Sequence, residues 1–529
     1  MSSPTLEQFT LNAIEHPDPI PVRVEGKIPE WLKGSLIRVG PGKFEEGDFR
    51  FNHWQDGMAI MVKFVIYPNG EVTFRQRYLQ SDAFRKLRST KRPVYTEFGT
   101  RSYPDPSKNI FSRMLQSFDM SSVTDNASSN VLVLNGEVFV TSETFFLRRI
   151  DPATLETREK IDLHKLTGVN FISSHPVTDH DGTTYNIGTS FSTGPKYVVV
   201  RVPPLADGKG ACSDPWSDAR VLTTISSSWK ASMSYVHSFS VSDRYLVFVE
   251  QPYLISILKL ATSQAKGRSL AQCIDWHPQE RIRFIVLNKH TGEVLSTKYY
   301  TQEIFFVLHH VNCYEIKNQL VVDLIAYSSP DIINNLYLDN MKTQGYPCDG
   351  DFARLRRFVL PIVSEMENLE CNKELVEVPG CSASAIRTYD NQFGDFISLE
   401  SQVIGQDGID MPILNPAFRS KPYRYMWGCG GWEQGYFKGA VGKVDVETGE
   451  CWKWHASADT ISTEALFIAH PEARDEDDGV LIFNTVSTHP DERNALVVLD
   501  AKTMQPLARA EIDQQLGGSL HGTFLPNKF

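Results

Sequence analysis

Four histidines stand apart from the others by their surroundings. His175 in FISSHPVTD, His237 in SMSYVHSFSV, His309 in FFVLHHVNCYE and His521 in GSLHGTFLP lie among apolar or small residues of the kind found at buried strand ends. With 14 histidines in 529 residues there is no enrichment, and an isolated histidine is more often structural than a ligand, so position carries the argument. The intervals within the set are 62, 72 and 212 residues, the last close to three times 71. They are commensurate with a repeating unit of about 70–75 residues, one imidazole per unit near a common axis. Four neutral imidazoles converging in this way suit a borderline metal such as iron with positions left open for oxygen, whereas zinc usually closes at four ligands. No G-x-S-x-G elbow, phosphate-binding G-x-x-x-x-G-K-[ST] loop or H-E-x-x-H helix occurs, so acyl and phosphoryl transfer lack visible machinery. The carboxylates of EARDEDDG (472–479) read as an acidic surface turn.

The elements that would position such a site are strands. VLVLNGEVFVTSE (131–143), YLVFVEQPY (245–253), RFIVLNKHTGEVLS (283–296), LVVDLIAY (320–327) and GVLIFNTV (479–486) alternate or are β-branched. A related turn recurs in IDPATLETREK (150–160), LNKHTGEVLST (287–297), VDVETGECWKW (444–454) and LDAKTMQPLAR (499–509). Each reads as strand, polar turn, strand, the pattern of stacked four-stranded blades, because one blade cannot cover both of its faces alone. No linker divides the chain, although residues 330–379 are irregular, and we expect one all-β propeller domain over 1–529 with inserted cap segments and an N-terminal arm of about residues 1–18. Two segments read as amphipathic helices: 110–118, with Phe111, Leu115 and Phe118 on one stripe, and 253–268, with Leu254, Ile257, Leu258 and Ala261. The second also carries Lys259, Lys266 and Arg268, which suits both a cap and a peripheral membrane contact.

A net charge of −11 and the lack of any dense Lys/Arg block argue against a nucleic-acid partner. Eight cysteines without a C-x-x-C pair fit a reducing compartment. The first residues, MSSPTLEQFTLNAIEHPDPIPVRVEG, lack an apolar run and have no arginine before Arg23, so neither a secretory nor a mitochondrial leader is expected. No stretch of 18 apolar residues occurs, and the expected location is cytoplasmic with peripheral membrane association.

GPGKFEEGDFRFNHWQDGMAIMVKF (40–64), TEFGTRSYPDPSKNIFSR (96–113), SSHPVTDHDGTTYNIG (173–188), YVHSFSVSDRYLVFVEQP (235–252), HHVNCYE (309–315), DEDDGVLIF (475–483) and HGTFLP (521–526) resemble, in order and from near residue 18 to the C-terminus, the animal branch of the carotenoid cleavage oxygenase family. The resemblance implies a seven-bladed β-propeller with a helical and loop cap over one axial Fe(2+), held by His175, His237, His309 and His521. His310, though adjacent, is not implied as a ligand. Four uncharged imidazoles leave the metal's charge unneutralised, so carboxylates on the far ring nitrogens are required. The resemblance places them at Glu143 in VTSETFF and Glu464 in STEALF, and at Asp410 in GIDMPIL, where relatives carry glutamate. The shorter Asp410 would need a small backbone shift or a water to reach. Ser107 stands where many relatives have a cysteine linked to lipidation. Phe98 and Ser129 match positions near the substrate tunnel.

For function, the resemblance implies a dioxygenase that uses O2 to split one carbon–carbon double bond of a carotenoid or apocarotenoid into two carbonyl products, within carotenoid and retinoid metabolism. The iron cannot count carbons, so the choice of bond lies in tunnel shape. NHWQDGMA, LQSDAF and LATSQAKGRSLAQCIDW (260–276) are most similar to the eccentric 9′,10′ cleavers. Symmetric 15,15′ cleavage to retinal, isomerase activity and a non-catalytic carotenoid-binding propeller are the alternatives.

Overall fold

The computed structural model describes residues 9–106, 123–205, 214–343, 352–363, 365–430, 440–457, 460–489 and 492–528. The expected helix at 110–118 and Ser107 lie outside them. The described chain is mostly β, arranged as a succession of sheets that are antiparallel except where Tyr299–Thr301 runs parallel to Gly394–Glu400. Asn130–Leu134, Glu137–Thr141, Phe146–Ile150 and Thr157–Asp162 form one four-stranded meander, whose first hairpin turns at Asn135 and Gly136, both with positive φ. Phe306–Ile316, Gln319–Tyr327, Arg354–Pro361 and Gln402–Ile404 form another, and Asp410–Ile413, Tyr425–Cys429, Ala440–Asp445 and Cys451–His455 a third.

Side-chain alternation shows why such sheets stack. Along Tyr245–Glu250, Val247 and Val249 enter one core cluster while Leu246 and Phe248 enter another. Gln319–Tyr327 divides likewise, with Leu320, Val322 and Leu324 on one side and Val321, Ile325 and Tyr327 on the other. A strand apolar on both faces needs a neighbour on each, which is the propeller-type condition.

The chain ends close the arrangement. His16–Gly26 pairs with Pro506–Ile512 on one edge and Val72–Tyr78 on the other, and His521–Pro526 pairs with Gly34–Lys43. The last strand thereby places His521 opposite Val39, beside the fully buried Arg38.

The four recurring turns share one device. Oδ1 of Asp151, Asp445 and Asp500, and of Asn288, accepts hydrogen bonds from the backbone N–H groups two and three residues on. The residue four positions on, Leu155, Gly449, Met504 or Gly292, is left-handed. These Asx turns hold the hairpins of three sheets, while at Asn288 the second arm shrinks to an isolated Leu287–Val294 bridge. Asp500 accepts from Lys502 N at 3.1 Å, Thr503 N at 2.7 Å and Thr503 Oγ1 at 2.8 Å. Asp500→Ala is expected to lower stability by about 1 kcal/mol, read as a fall in the urea midpoint with unchanged slope. An unchanged midpoint would show that the turn forms without its cap.

The segment 253–268 differs from the expected helix. Tyr253–Ser256 is a strand between Ser232–Ser234 and Ile274–Trp276, and only Ile257–Ala261 is helical, begun where Ser256 Oγ accepts from Lys259 N. The helical spacing of Leu254, Ile257, Leu258 and Ala261 is overridden because Leu254 and Ile255 are buried within this small sheet. Leu258 is left 72% exposed, so the four residues do not share one buried stripe.

Candidate metal centre

His175 sits in the turn between Phe171–Ile172 and Val177–Thr178, His237 between Ser232–Ser234 and Ser240–Val241, His309 within Phe306–Ile316, and His521 at the start of His521–Pro526. Although they come from separate sheets, one ring nitrogen of each lies within 4.8 Å of those of the other three. Nε2 of His237 is 3.1 Å from Nε2 of His175 and 3.3 Å from Nε2 of His309. Four imidazole nitrogens gathered this closely could hold a metal ion.

The far ring nitrogens are committed. Glu143 Oε1 accepts from His237 Nδ1, Asp410 Oδ1 from His309 Nδ1 at 2.7 Å, and Glu464 Oε1 from His521 Nδ1 at 2.8 Å. Such bonds turn Nε2 of each ring toward the common centre. Among the described residues, no carboxylate reaches Nδ1 of His175. The Asp410 contact is direct. The strand Asp410–Ile413 carries a register irregularity there and Met411 has φ +50, so the backbone bends where the short carboxylate must reach.

Burial, added to the neighbouring imidazoles, pushes His175 well below the ordinary histidine range, and burial lowers His237 despite Glu143. Burial also opposes a charge on His309, but the Asp410 carboxylate outweighs it and raises that imidazole above its usual value. Asp410 and Glu464 are held below the carboxylate range against their burial, by His309 and by His521 with Arg38. The three carboxylates face one guanidinium, Arg38, whose Nη2 is 3.9 Å from Glu464 Oε2. Carboxylates outnumber the guanidinium around the four rings, which fits a divalent cation among them.

Three supporting groups were not among the sequence candidates. Tyr235 donates its hydroxyl to Glu143 at 2.6 Å, Tyr327 donates to Asp410 Oδ2 at 2.5 Å, and Arg38 donates to the Glu464 and Leu520 carbonyls at 2.8 and 3.0 Å. Only Tyr235 had a readable signal, two residues before His237.

A cavity runs beside the centre, with Glu143 and Tyr235 in its wall. Phe98 and Ser129 both line it, together with Phe171, Ile187, Ile255 and Leu260. His175, His309 and His521 also border a more polar space that His310 lines. The EARDEDDG turn lies elsewhere, with Asp477 paired to Lys443, and Asp475 and Asp478 to Lys502.

A propeller-type β protein with a four-imidazole centre beside an apolar cavity is the class these features define. The family model described as Retinal pigment epithelial membrane protein matches residues 9–526. The chain is 37% identical over 526 residues to human β,β-carotene 15,15′-dioxygenase, covering 98% of this chain and 94% of that protein. It is 36% identical to the mitochondrial carotenoid-cleaving dioxygenase of Macaca fascicularis, covering 97% and 93%. A cobalt-substituted apocarotenoid oxygenase from Synechocystis shares the fold, with TM-score 0.76, 20% identity and full coverage of both chains. The chain belongs to the carotenoid oxygenase family and is an enzyme of that class.

Proposed function

We propose that this chain is an iron(II)-dependent dioxygenase that cleaves one carbon–carbon double bond of a carotenoid to two carbonyl products, eccentrically at the 9′,10′ bond of β-carotene or a xanthophyll. The observation that carries this reading is the four-imidazole set, braced by Glu143, Asp410 and Glu464, at the edge of a cavity lined in part by Phe98, Phe171, Ile187, Ile255 and Leu260. His175, His237, His309 and His521 would hold the metal, and iron(II), when bound, supplies the reactivity toward O2. The protein positions the polyene through the cavity wall, of which Phe98, Phe171 and Ser129 are part. Names of relatives that include a 15,15′-dioxygenase favour symmetric cleavage as the second reading.

The same reading takes the molecule as one seven-bladed domain over 1–529 with an N-terminal arm of about 1–18. Seven inner strand positions support it, at His521–Pro526, Asn130–Leu134, Phe171–Ile172, Ser240–Val241, Phe306–Ile316, Asp410–Ile413 and Thr460–Ser462. Ile255, Leu260, Leu270 and Ile274 wall the cavity and support the cap. The exposed Leu258 supports peripheral membrane contact there, and among the described residues no helix is long and apolar enough to cross a membrane. All described cysteines are free thiols, which supports a reducing compartment such as the cytoplasm.

Anaerobic iron loading followed by incubation with β-carotene and O2 tests the reaction. About one iron per chain and an apocarotenal with its short partner are expected from a single mononuclear site. Retinal alone would move the reading to symmetric cleavage. Iron without cleavage products from β-carotene or a xanthophyll would overturn the dioxygenase in favour of isomerisation, and protein that holds no iron but binds carotenoid would be a binding module.

A further inference from the structure

Phe98 enters the cavity wall from a loop whose place is decided by residues behind the wall. Residues 97–100 close a tight turn in which Glu97 N donates to Thr100 O at 2.9 Å. The segment 52–56 grips this turn from one side. Asn52 N donates to Thr100 Oγ1 at 2.9 Å, and Asn52 Nδ2 to Gly99 O at 3.2 Å. Asp56 Oδ1 accepts from Gly99 N at 2.7 Å, while its Oδ2 accepts from Thr100 Oγ1 at 2.6 Å and from His53 N at 3.1 Å. Gly99 permits that approach, since a Cβ there would lie 2.4 Å from His53 Cβ. The His53 ring, itself bonded through Nε2 to Ile333 O at 2.9 Å, backs the Phe98 ring with centroids 5.0 Å apart.

From the other side the same turn holds a second part of the wall. Ala271 N donates to Phe98 O at 2.7 Å, and Leu270 and Ile274 on either side of that bond line the cavity as Phe98 does. Asp56 is fully buried, and among the described residues no cationic side chain is paired with it. A buried carboxylate held by neutral donors alone is a poor source of stability. Three donors converging on it nevertheless leave the turn one place to sit.

We propose that Asp56 is a positioning residue that sets which double bond of the polyene stands at the metal centre, by fixing Phe98 and, through the Phe98 carbonyl, the wall at Leu270 and Ile274. The inference rests on the carotenoid reading above and deepens it. Asp56 is not itself in the cavity wall, so it acts only through the residues that are. Successive double bonds of a conjugated chain differ by a short slide along the cavity. A wall displaced by about 1 Å therefore misplaces the reacting bond, at a cost of about a hundredfold in rate.

The test compares iron-loaded parent, Asp56→Asn, Thr100→Val and Thr100→Ser on β-carotene. Asp56→Asn keeps an oxygen for Gly99 N but turns an NH2 toward the other two donors, and Thr100→Val removes the hydroxyl that joins Asn52 to Asp56. Thr100→Ser keeps that hydroxyl. Chromatography of the products gives the positions of cleavage, and kcat and KM are measured separately. In Asp56→Asn and Thr100→Val, kcat/KM should fall by about ten- to a hundredfold, mostly in kcat, and cleavage should spread to a second double bond, with iron content unchanged. Thr100→Ser should keep the parent rate and products. An unchanged product distribution in both Asp56→Asn and Thr100→Val, at whatever rate, would overturn the proposal, because a merely structural loss lowers the amount of active enzyme without moving the scissile bond. If Asp56→Asn fails to fold, Thr100→Val, which leaves the carboxylate in place, decides alone. If the parent cleaves nothing, the dioxygenase reading has failed, and β-carotene affinity, read by quenching of tryptophan fluorescence, decides the role of Asp56: weaker binding by Thr100→Val upholds it and equal binding overturns it.

Discussion

His237→Ala is expected to lose iron and polyene cleavage together while unfolding at nearly the parent temperature. His237 occupies the middle of the cluster, with Nε2 3.1 Å from that of His175 and 3.3 Å from that of His309, so its removal opens the ligand set rather than trimming an edge. Loss of a supporting partner alone costs metal affinity roughly ten- to a hundredfold, and loss of the ligand itself should cost more than that. The fold should survive because little else depends on the ring. Glu143, partly exposed, keeps the Tyr235 hydroxyl at 2.6 Å, and the bond that Ser173 makes here goes to the His237 carbonyl, which alanine retains. Iron by atomic absorption, product by chromatography and melting by circular dichroism are the measurements. Full iron occupancy in the variant would remove His237 from the ligand set, and collapse of the melting transition would make the ring a core element.

The parts of this architecture legible in the sequence are those governed by local chemistry. Asp151, Asp445 and Asp500 announce their turns because an aspartate side chain reaches its own backbone two and three residues on, whatever the sheet does elsewhere. The histidine flanks are readable for the same reason, since strands apolar on both faces appear as unbroken apolar runs. Spacing could bring the four histidines only to a common period, and the resemblance to a family was needed to join them to Glu143, Glu464 and Asp410. Arg38 was not legible: it meets Glu464 across 426 residues of chain, its own strand Gly34–Lys43 being paired with the last strand, His521–Pro526, and nothing near Arg38 signals that closure. Tyr327 reaches Asp410 across 83 residues by the same kind of non-local packing. The segment 253–268 misled because Leu254, Ile257, Leu258 and Ala261 fit a helical stripe, while pairing of Tyr253–Ser256 with two other short strands overrode it.

Asp410→Asn should lower iron affinity by roughly ten- to a hundredfold without unfolding the protein, more than the equivalent change at either of the other two carboxylates. Asp410 is 1% exposed, whereas water reaches Glu143 and Arg38 stands beside Glu464, so Asp410 has neither solvent nor a guanidinium beside it, only His309, the Tyr327 hydroxyl and Met411 N–H. The amide is close in shape. Its oxygen can still accept from His309 Nδ1 and from Met411 N, and the Tyr327 hydroxyl can accept from the new NH2 in place of donating at 2.5 Å. What disappears is the negative charge that keeps His309 electron-rich and helps to balance a divalent ion. Since that charge outweighs burial in raising the His309 imidazole above its ordinary value, His309 in iron-free Asp410→Asn should titrate lower than in the parent. Iron titration and the histidine NMR signals of the iron-free protein read the two effects separately. Unchanged iron affinity with a lowered His309 titration would mean that the carboxylate tunes the imidazole but does not help to hold the metal, and no change in either would place Asp410 outside the centre.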